Sequence, residues 1–88
     1  MKQTVRIKIR NEFSKFVTLW LEPWGEDYGM LANDEFEIIA KNVDENFYFQ
    51  VDFGEDIKVW AEGQVIDIGV YQNNKLLECG HNGLVENK

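Results

Sequence analysis

The stretch FYFQVDFGEDIKVWA, residues 47–61, decides the fold class of this chain. Apolar side chains occupy every second position over residues 47–53 and again over residues 57–61, and the Gly-Glu-Asp sequence at 54–56 supplies a turn between them. A period of two residues is typical of β-strands that pack one face on a core. The stretch therefore predicts two strands joined by a turn.

The same period continues on both sides of this stretch. Further strands are predicted over residues 4–10, 16–22, 28–31, 36–40, 66–70 and 76–79. Turn-forming residues separate them, including Pro23 with Gly25 and the pair Asn73-Asn74, which tolerates positive φ. Seven or eight short strands spaced by about 8–12 residues predict an all-β fold, a small antiparallel β-sandwich of immunoglobulin-like, prealbumin-like or jelly-roll topology.

The length allows one domain. A chain of 88 residues buries roughly 60% of the surface that its unfolded form exposes, so its core is small. Hydrophobic residues make up 44% of the chain and aromatic residues 14%, which is enough for one core and argues against disorder. We expect a single sandwich domain over residues 1–80 and a flexible tail over residues 81–88.

The charge is distributed unevenly. The net charge is −7, yet residues 1–16 have five Lys or Arg against the single acid Glu12, a balance of +4, which leaves −11 for the remaining residues. An acidic body repels phosphate backbones, so general nucleic-acid binding is disfavoured. The basic residues of the first strand alternate with apolar ones and predict its polar face. This basic strand, residues 4–10, could pair with an acidic edge strand of a second copy.

Cysteine and hydropathy point to a soluble protein of the cytoplasm. Cys79 is the only cysteine and cannot form an internal disulfide. No apolar run approaches the roughly 20 residues that span a bilayer, and the N-terminal residues have no uninterrupted apolar segment. The sequence therefore predicts neither a membrane span nor a secretory leader.

The residue inventory argues against a metal or another cofactor. Cys79 and His81 are the only soft ligands, whereas a structural zinc site needs at least two more, and a blue-copper site needs two histidines. Acids cluster at residues 34–37 and 52–56 and could offer oxygen ligands to calcium. Neither cluster has the spacing of a twelve-residue calcium loop, and acids in β-turns are usually solvated. We predict no metal and no cofactor.

Catalysis is disfavoured for similar reasons. Cys79 and His81 lie two positions apart, so on a strand they would project to the same face, but the following residues are rich in glycine and no Gly-framed elbow accompanies them. Paired carboxylates for glycoside hydrolysis are numerically present, yet such sites occupy deep clefts of larger scaffolds. We predict no catalytic residue.

The most distinctive stretch is WLEPWGEDYGML, residues 20–31, with two tryptophans, a tyrosine, the only proline and three carboxylates. Aromatic rings beside carboxylates are typical of protein interfaces and of carbohydrate-binding surfaces. Trp20 and Trp60, which are out of phase with the aliphatic residues of their strands, are expected to cover the second face of the sandwich. The candidate binding residues are Glu22, Trp24, Glu26, Asp27 and Tyr28.

Part of the chain resembles a group of small uncharacterised bacterial all-β proteins. The resemblance rests on an apolar strand followed by Glu22-Pro23-Trp24-Gly25-Glu26, Tyr28, Leu31 and Glu35-Phe36-Glu37-Ile38, and it covers about residues 15–62. It implies a bacterial origin and a sandwich fold, and it implies no activity. In those proteins we expect a Pro-Gly turn before the glutamate, whereas this chain has Ala-Asn-Asp at 32–34.

The sequence thus predicts a non-catalytic, acidic binding module. Its partner would be a protein with a basic surface, attracted by the carboxylates and held by the aromatic rings. The alternative is a carbohydrate-binding module of the same fold, with exposed Trp and Tyr stacked on sugar rings.

Overall fold

Eight β-strands account for the chain in the computed structural model, which describes residues 2–83. They are β1 (Gln3–Arg10), β2 (Val17–Glu22), β3 (Glu26–Met30), β4 (Glu35–Val43), β5 (Tyr48–Phe53), β6 (Ile57–Glu62), β7 (Asp67–Gln72) and β8 (Lys75–Leu76). The alternation of apolar and polar residues is the cause, because it lets each strand pack one face on a core. The predicted all-β fold is confirmed.

The strands form two four-stranded sheets. Sheet A has the order β1-β4-β7-β8 and sheet B the order β3-β2-β6-β5. Every pair is antiparallel except β2 and β6, which run parallel with Leu19 opposite Ile57 and Leu21 opposite Val59. The small β-sandwich is therefore as predicted. One pair in the middle of sheet B, β2 with β6, is parallel where antiparallel pairing was expected.

The core lies between the two sheets. Its fully buried side chains come from both layers, with Phe36 and Ile38 from sheet A facing Leu19, Leu21 and others from sheet B. A second, smaller cluster closes one end of the sandwich around Val43 and Phe47. These residues are the inward members of the alternating patterns.

Asparagines in the left-handed backbone region form several of the turns. Asn73 and Asn74 have φ of 52° and 66°, as a type I′ hairpin turn between β7 and β8 requires, and this confirms the predicted turn. Gly25 (φ 68°) ends the turn between β2 and β3, in which the Glu22–Pro23 peptide bond is cis. The predicted last strand, residues 76–79, is shorter than expected, since β8 is Lys75–Leu76.

Asn11 joins two connections that cross between the sheets. Its side chain is fully buried, and its Nδ2 lies 2.9 Å from the carbonyl oxygen of Lys15 and 3.1 Å from that of Met30. Its Oδ1 accepts a hydrogen bond from the Phe13 amide. A buried amide satisfied in this way fixes the β1–β2 connection against the end of β3.

The first residues after position 80 bond to the edge of sheet B. His81 forms an isolated parallel bridge with Tyr28, and Asn82 Nδ2 donates a hydrogen bond to the carbonyl of Gly29. The flexible tail was predicted to begin at residue 81, so these two residues of it are placed against β3. Residues 84–88 of the predicted tail lie outside the described residues.

Candidate functional site

Strand alternation divides the five candidate binding residues among three places. β3 begins at Glu26, so Glu26 and Tyr28 project to one side of sheet B and Asp27 to the other. Asp27 is paired with Trp20, and both face away from the core, as does Glu22 two positions further along β2. Trp24 lies in the turn between the two strands. The five residues therefore do not form one continuous surface.

Tyr28 belongs to the core. Its side chain is 3% exposed, and its hydroxyl donates a hydrogen bond of 2.9 Å to Glu26 Oε1. Burial, followed by the hydrogen bond and the negative charge of Glu26, raises the pKa of the Tyr28 phenol well above its ordinary value. Its ring is packed between the sheets, so Tyr28 and Glu26 fix the edge of sheet B.

Trp24 lines a groove at one end of the sandwich. It is 45% exposed and shares the groove, whose volume is about 660 Å³, with the fully exposed Ile66 and with Lys41. The connection between β6 and β7, the end of β4 and Lys2, which precedes β1, supply most of the remaining lining. The groove is at the end of the molecule where β2 and β6 terminate, next to Glu22.

A larger surface, which we name the aromatic face, is the side of sheet B that points away from the core. Strand register puts its side chains in rows. The rows are Asp27, Trp20, Lys58 and Asp52, then Glu22, Trp60 and Gln50, and finally Glu62 and Tyr48. No strand of the described chain packs over these rows. Three aromatic side chains thus lie on adjacent strands of one outer face.

The rings of the aromatic face differ in exposure. Tyr48 is 55% exposed, whereas Trp20 and Trp60 are half-buried. Trp20 Nε1 donates a hydrogen bond of 3.1 Å to Asp56 Oδ2, which attaches the β5–β6 turn to β2. The half-buried tryptophans agree with the expectation that they cover the second face of the sandwich.

Carboxylates outnumber cations on this face. Its rows include one ammonium group, that of Lys58, and four carboxylates, those of Glu22, Asp27, Asp52 and Glu62. Neighbouring carboxylates on one surface produce a local negative potential that attracts cationic groups. The aromatic face is therefore both ring-bearing and acidic.

One end of the aromatic face is closed. A Cβ on Gly29 would lie 2.6 Å from the Phe16 ring and 2.7 Å from the carbonyl oxygen of Asn82, so the ring and the backbone occupy the space above this glycine. Thr18, the neighbour of Gly29 on β2, is buried as a result. The open part of the face extends from Trp20 toward Trp60 and Tyr48.

Trp60 and Tyr48 were not among the candidate binding residues, although the sequence has a signal for both. Each is out of phase with the aliphatic residues of its own strand, which places it on the outer face. Residues 48 and 60 lie diagonally on neighbouring strands because β5 and β6 form a hairpin with Gln50 opposite Trp60. The proximity to Trp20 depends on the parallel pairing of β2 and β6, which the sequence does not reveal.

Cys79 and His81 have different surroundings. Cys79 is exposed, with its Sγ 3.6 Å from Asp27 Oδ1, whereas the His81 ring meets the Phe36 ring edge to face at 5.8 Å. Within residues 2–83, no group of three or more His, Cys, Asp or Glu side chains is arranged to hold a metal ion. The same residues include no helix of the length and apolarity needed to cross a membrane.

Comparison with known protein families, with curated proteins and with solved structures gives no match to this chain. The functional reading consequently rests on the geometry and chemistry of the aromatic face and the groove.

Proposed function

We propose that the protein is a non-catalytic binding module that holds a protein partner with a basic surface on its aromatic face. The observation that carries this proposal is the position of Trp20, Trp60 and Tyr48 on adjacent strands of one outer face, among four carboxylates. Tryptophan and tyrosine are enriched where binding energy is concentrated in protein interfaces. Lysine and arginine side chains of a partner would meet the carboxylates around the rings.

The rings and the carboxylates would contribute differently. Burial of Trp60 and Tyr48 under a partner would supply most of the affinity, because large aromatic side chains bury much apolar area at a low cost in side-chain entropy. The carboxylates would accelerate encounter and orient the partner. Their contribution would decrease as salt screens them over a Debye length of about 8 Å at physiological ionic strength.

The sequence candidates take separate roles in this proposal. Glu22 and Asp27 belong to the acidic part of the aromatic face, and Trp24 extends the contact past the end of β2. Glu26 and Tyr28 support the edge of sheet B from below. An open sheet surface with spread carboxylates also favours binding over catalysis, since catalytic groups act in sites that exclude water.

The cellular setting is part of the proposal as well. The exposed thiol of Cys79 suits a reducing compartment, and we place the protein in the cytoplasm. A bacterial source is proposed on the resemblance described above. The excess of carboxylates on the aromatic face disfavours nucleic acid as the partner.

The test is a capture experiment with matched baits. Wild-type protein, Trp60→Ala and Tyr71→Ala would be immobilised and exposed to lysate of the native source, after each variant is shown to be folded. Tyr71 is the matched control because it is a half-buried aromatic residue on the outer side of sheet A. We expect a protein that binds wild type and Tyr71→Ala, is lost with Trp60→Ala and is eluted by salt. Equal loss with both variants would contradict the proposal.

A carbohydrate-binding module is the second candidate, favoured by the exposed Tyr48 on the same outer face as Trp60, with Gln50 directly opposite Trp60. Stacked rings and hydrogen-bonding side chains are what a sugar surface needs. Binding to soluble polysaccharides that is lost with Trp60→Ala and is unchanged between low and high salt would favour this candidate. The protein partner ranks first because four carboxylates surround the rings, and such a negative surface attracts a cationic partner more than a neutral sugar.

A further inference from the structure

The two sheets have four edge strands, and three of these are protected against pairing with another chain, each by a different structural feature. An unprotected strand edge offers free N–H and C=O groups to any other chain, so native proteins cover, shorten or charge their edges. Edge strands β1 and β8 belong to sheet A, and β3 and β5 belong to sheet B. The protection of each edge can be followed strand by strand.

The β3 edge is covered by the residues that follow β8. The Gly29 amide donates a hydrogen bond of 2.6 Å to the His81 carbonyl, and the Gly80 amide donates one of 2.7 Å to the Asp27 carbonyl. The β8 edge has only two residues. Both edges are therefore poor templates for another strand.

The β1 edge is long but charged. Arg6, Lys8 and Arg10 alternate along it on the outward side, and only Arg6 has a carboxylate partner within 4 Å among the described residues, Glu37 at 3.6 Å. Lysine and arginine on an edge strand oppose pairing with a second copy of the same strand. Two β1 strands side by side would set like charges against each other.

The β5 edge has none of these protections. Its sequence, YFQVDF over Tyr48–Phe53, has one charged residue, no lysine and no proline. Its two terminal residues, Tyr48 and Phe53, are 55% and 67% exposed. Six residues of high β propensity and low charge are the composition of segments that associate edge to edge.

We propose that two copies of this chain associate through their β5 strands, antiparallel about a two-fold axis at Gln50. The two four-stranded B sheets would then form one continuous sheet of eight strands. Directly opposite residues of an antiparallel pair project to the same face. One residue must therefore lie opposite its own copy, with the axis midway between the two, because a residue and its chain neighbour project to opposite faces. With Gln50 opposite Gln50 of the second copy, Tyr48 lies opposite Asp52 of the second copy.

This register is chemically complementary on both faces. On the outer face, each Tyr48 lies opposite Asp52 of the second copy, whose carboxylate can accept a hydrogen bond from the Tyr48 hydroxyl. The side-chain amides of the two Gln50 residues can form hydrogen bonds with each other. On the inner face, Phe49 lies opposite Val51 of the second copy, and both residues are only half-buried in the single chain. No like charges oppose each other across the strand pair, which distinguishes β5 from β1.

The association is independent of the proposed function, and it would change how that function works. Two aromatic faces would lie on one sheet and could bind two sites of a partner at once. Simultaneous binding of two linked sites raises the apparent affinity without any new type of contact.

The first test measures molar mass by light scattering as the protein concentration is raised to about 1 mM, the range in which an association of about −4 kcal/mol becomes visible. We expect the mass to rise from 10.3 kDa toward twice that value. Gln50→Lys, which sets two ammonium groups at the axis, should keep the protein monomeric. Thr4→Lys adds the same charge to the exposed face of β1 and should leave the dimer intact. A monomeric wild type, or a dimer that persists in Gln50→Lys, overturns the proposal.

A second test examines the register directly. Cα atoms of directly opposite residues are about 4.5–5.5 Å apart, within the range that a disulfide bridges. In a Cys79→Ser background, Gln50→Cys should cross-link into a covalent dimer under mild oxidation, whereas Thr4→Cys should not. Cross-linking of Thr4→Cys as fast as Gln50→Cys, or a dimer lost through Lys8→Glu, would identify β1 as the edge that pairs and overturn the assignment to β5.

Discussion

The two outer faces of the sandwich are built on the same core and differ in nearly every other respect. The aromatic face of sheet B has Trp20, Trp60 and Tyr48 on neighbouring strands. The outer side of sheet A, which we name the mixed-charge face, has charged residues of both signs: Arg6, Lys8, Arg10 and Lys41 with Glu35, Glu37 and Asp67. Interspersed charges of both signs keep a surface soluble, and here they surround a smaller apolar group, Ile39, Tyr71 and Leu76.

This contrast shows where binding residues can lie in so small a protein. Both inner faces are occupied by the core, so a binding function has only the outer faces, the edges and the ends available. The mixed-charge face has the composition of an ordinary solvated surface. The aromatic face has two half-buried tryptophans, and large aromatic side chains on an outer face are not needed for solubility. If the two faces differ in rigidity and in binding as they do in composition, matched substitutions on them will have unequal effects.

The largest effect is expected from alanine at Gly29, one of two glycines on the outer sides of the sheets. On the aromatic face, Gly29→Ala would press its methyl group against the Phe16 ring and the Asn82 carbonyl oxygen at 2.6 and 2.7 Å. We expect the free energy of unfolding in urea to fall by about 1–3 kcal/mol, the usual cost of overpacking.

Gly69 is the matched position on the mixed-charge face. Its added methyl group would meet Leu76 Cδ1 at 2.8 Å and Tyr71 Cε1 at 3.2 Å. The Leu76 side chain is exposed and can move aside, and the Tyr71 ring needs to move only by a few tenths of an ångström. Gly69→Ala should change the free energy of unfolding by less than about 1 kcal/mol. Equal losses at both glycines would show that the two faces are equally rigid.

The next effect concerns the carboxylates of the proposed interface. Glu22→Gln combined with Glu62→Gln removes two negative charges from the aromatic face, and we expect affinity for the captured partner to fall about tenfold at low salt, or about 1.4 kcal/mol. The salt dependence of binding should become weaker, as titration by isothermal calorimetry would show. Glu35→Gln with Glu37→Gln removes the same charge from the mixed-charge face and should change affinity less than about twofold. A comparable loss there would place the interface elsewhere.

A smaller effect separates the polar contacts of the two faces. Asp56→Ala leaves the half-buried indole N–H of Trp20 without its acceptor and should lower the free energy of unfolding by about 1 kcal/mol. Glu37→Gln breaks the Arg6–Glu37 ion pair, in which Arg6 is 59% exposed, and should cost less than about 0.5 kcal/mol because solvent screens such pairs. The Trp20 indole N–H resonance should shift only in Asp56→Ala. An unchanged resonance would contradict the hydrogen bond.

The last prediction concerns the pH dependence of stability, because the ionisation of Tyr28 changes the free energy of unfolding only at alkaline pH. Its phenol has a raised pKa in the folded protein, so the stabilisation is fully present below the unfolded value of about 10 and is lost as pH increases above it. Wild type should therefore lose stability steeply above about pH 10 in urea titrations. Tyr28→Phe should flatten this loss, and an unchanged slope would show that other groups cause the alkaline unfolding.

The fold was predictable because strand periodicity is a local property. Alternation over residues 47–61 was sufficient to predict β5, β6 and the turn between them. The parallel pairing of β2 with β6 was not predictable, because the alternation of side chains is the same whichever direction a neighbouring strand runs. The length of β8 was overestimated since Leu77, although buried, lies beyond the paired residues.

The positions of the candidate residues in the fold could be predicted only in part. Glu22 and Asp27 lie on an exposed acidic face and Trp24 is exposed, but the short strand was predicted to begin at Tyr28 when β3 begins at Glu26. With the strand predicted to begin two residues late, Glu26 and Asp27 were not recognised as strand residues. The prediction therefore missed that Asp27 projects to the opposite side of the sheet from Glu26 and Tyr28. The burial of Tyr28 could not be foreseen, because its hydroxyl is satisfied by Glu26, two positions away on the same side of the strand.

The parallel pairing of β2 and β6 also has a consequence for how the chain acquires its structure. Leu19 meets Ile57, 38 positions later, so the centre of sheet B cannot form until most of the chain is present. Such non-local pairings delay folding to milliseconds or seconds, because a long loop must close before any contact compensates for it. During synthesis, a nascent chain that has reached only Phe53 would lack the strand that joins β2 to β5. We expect the protein to fold only after β6 has been synthesised, with the apolar residues of β2 exposed to chaperones until then.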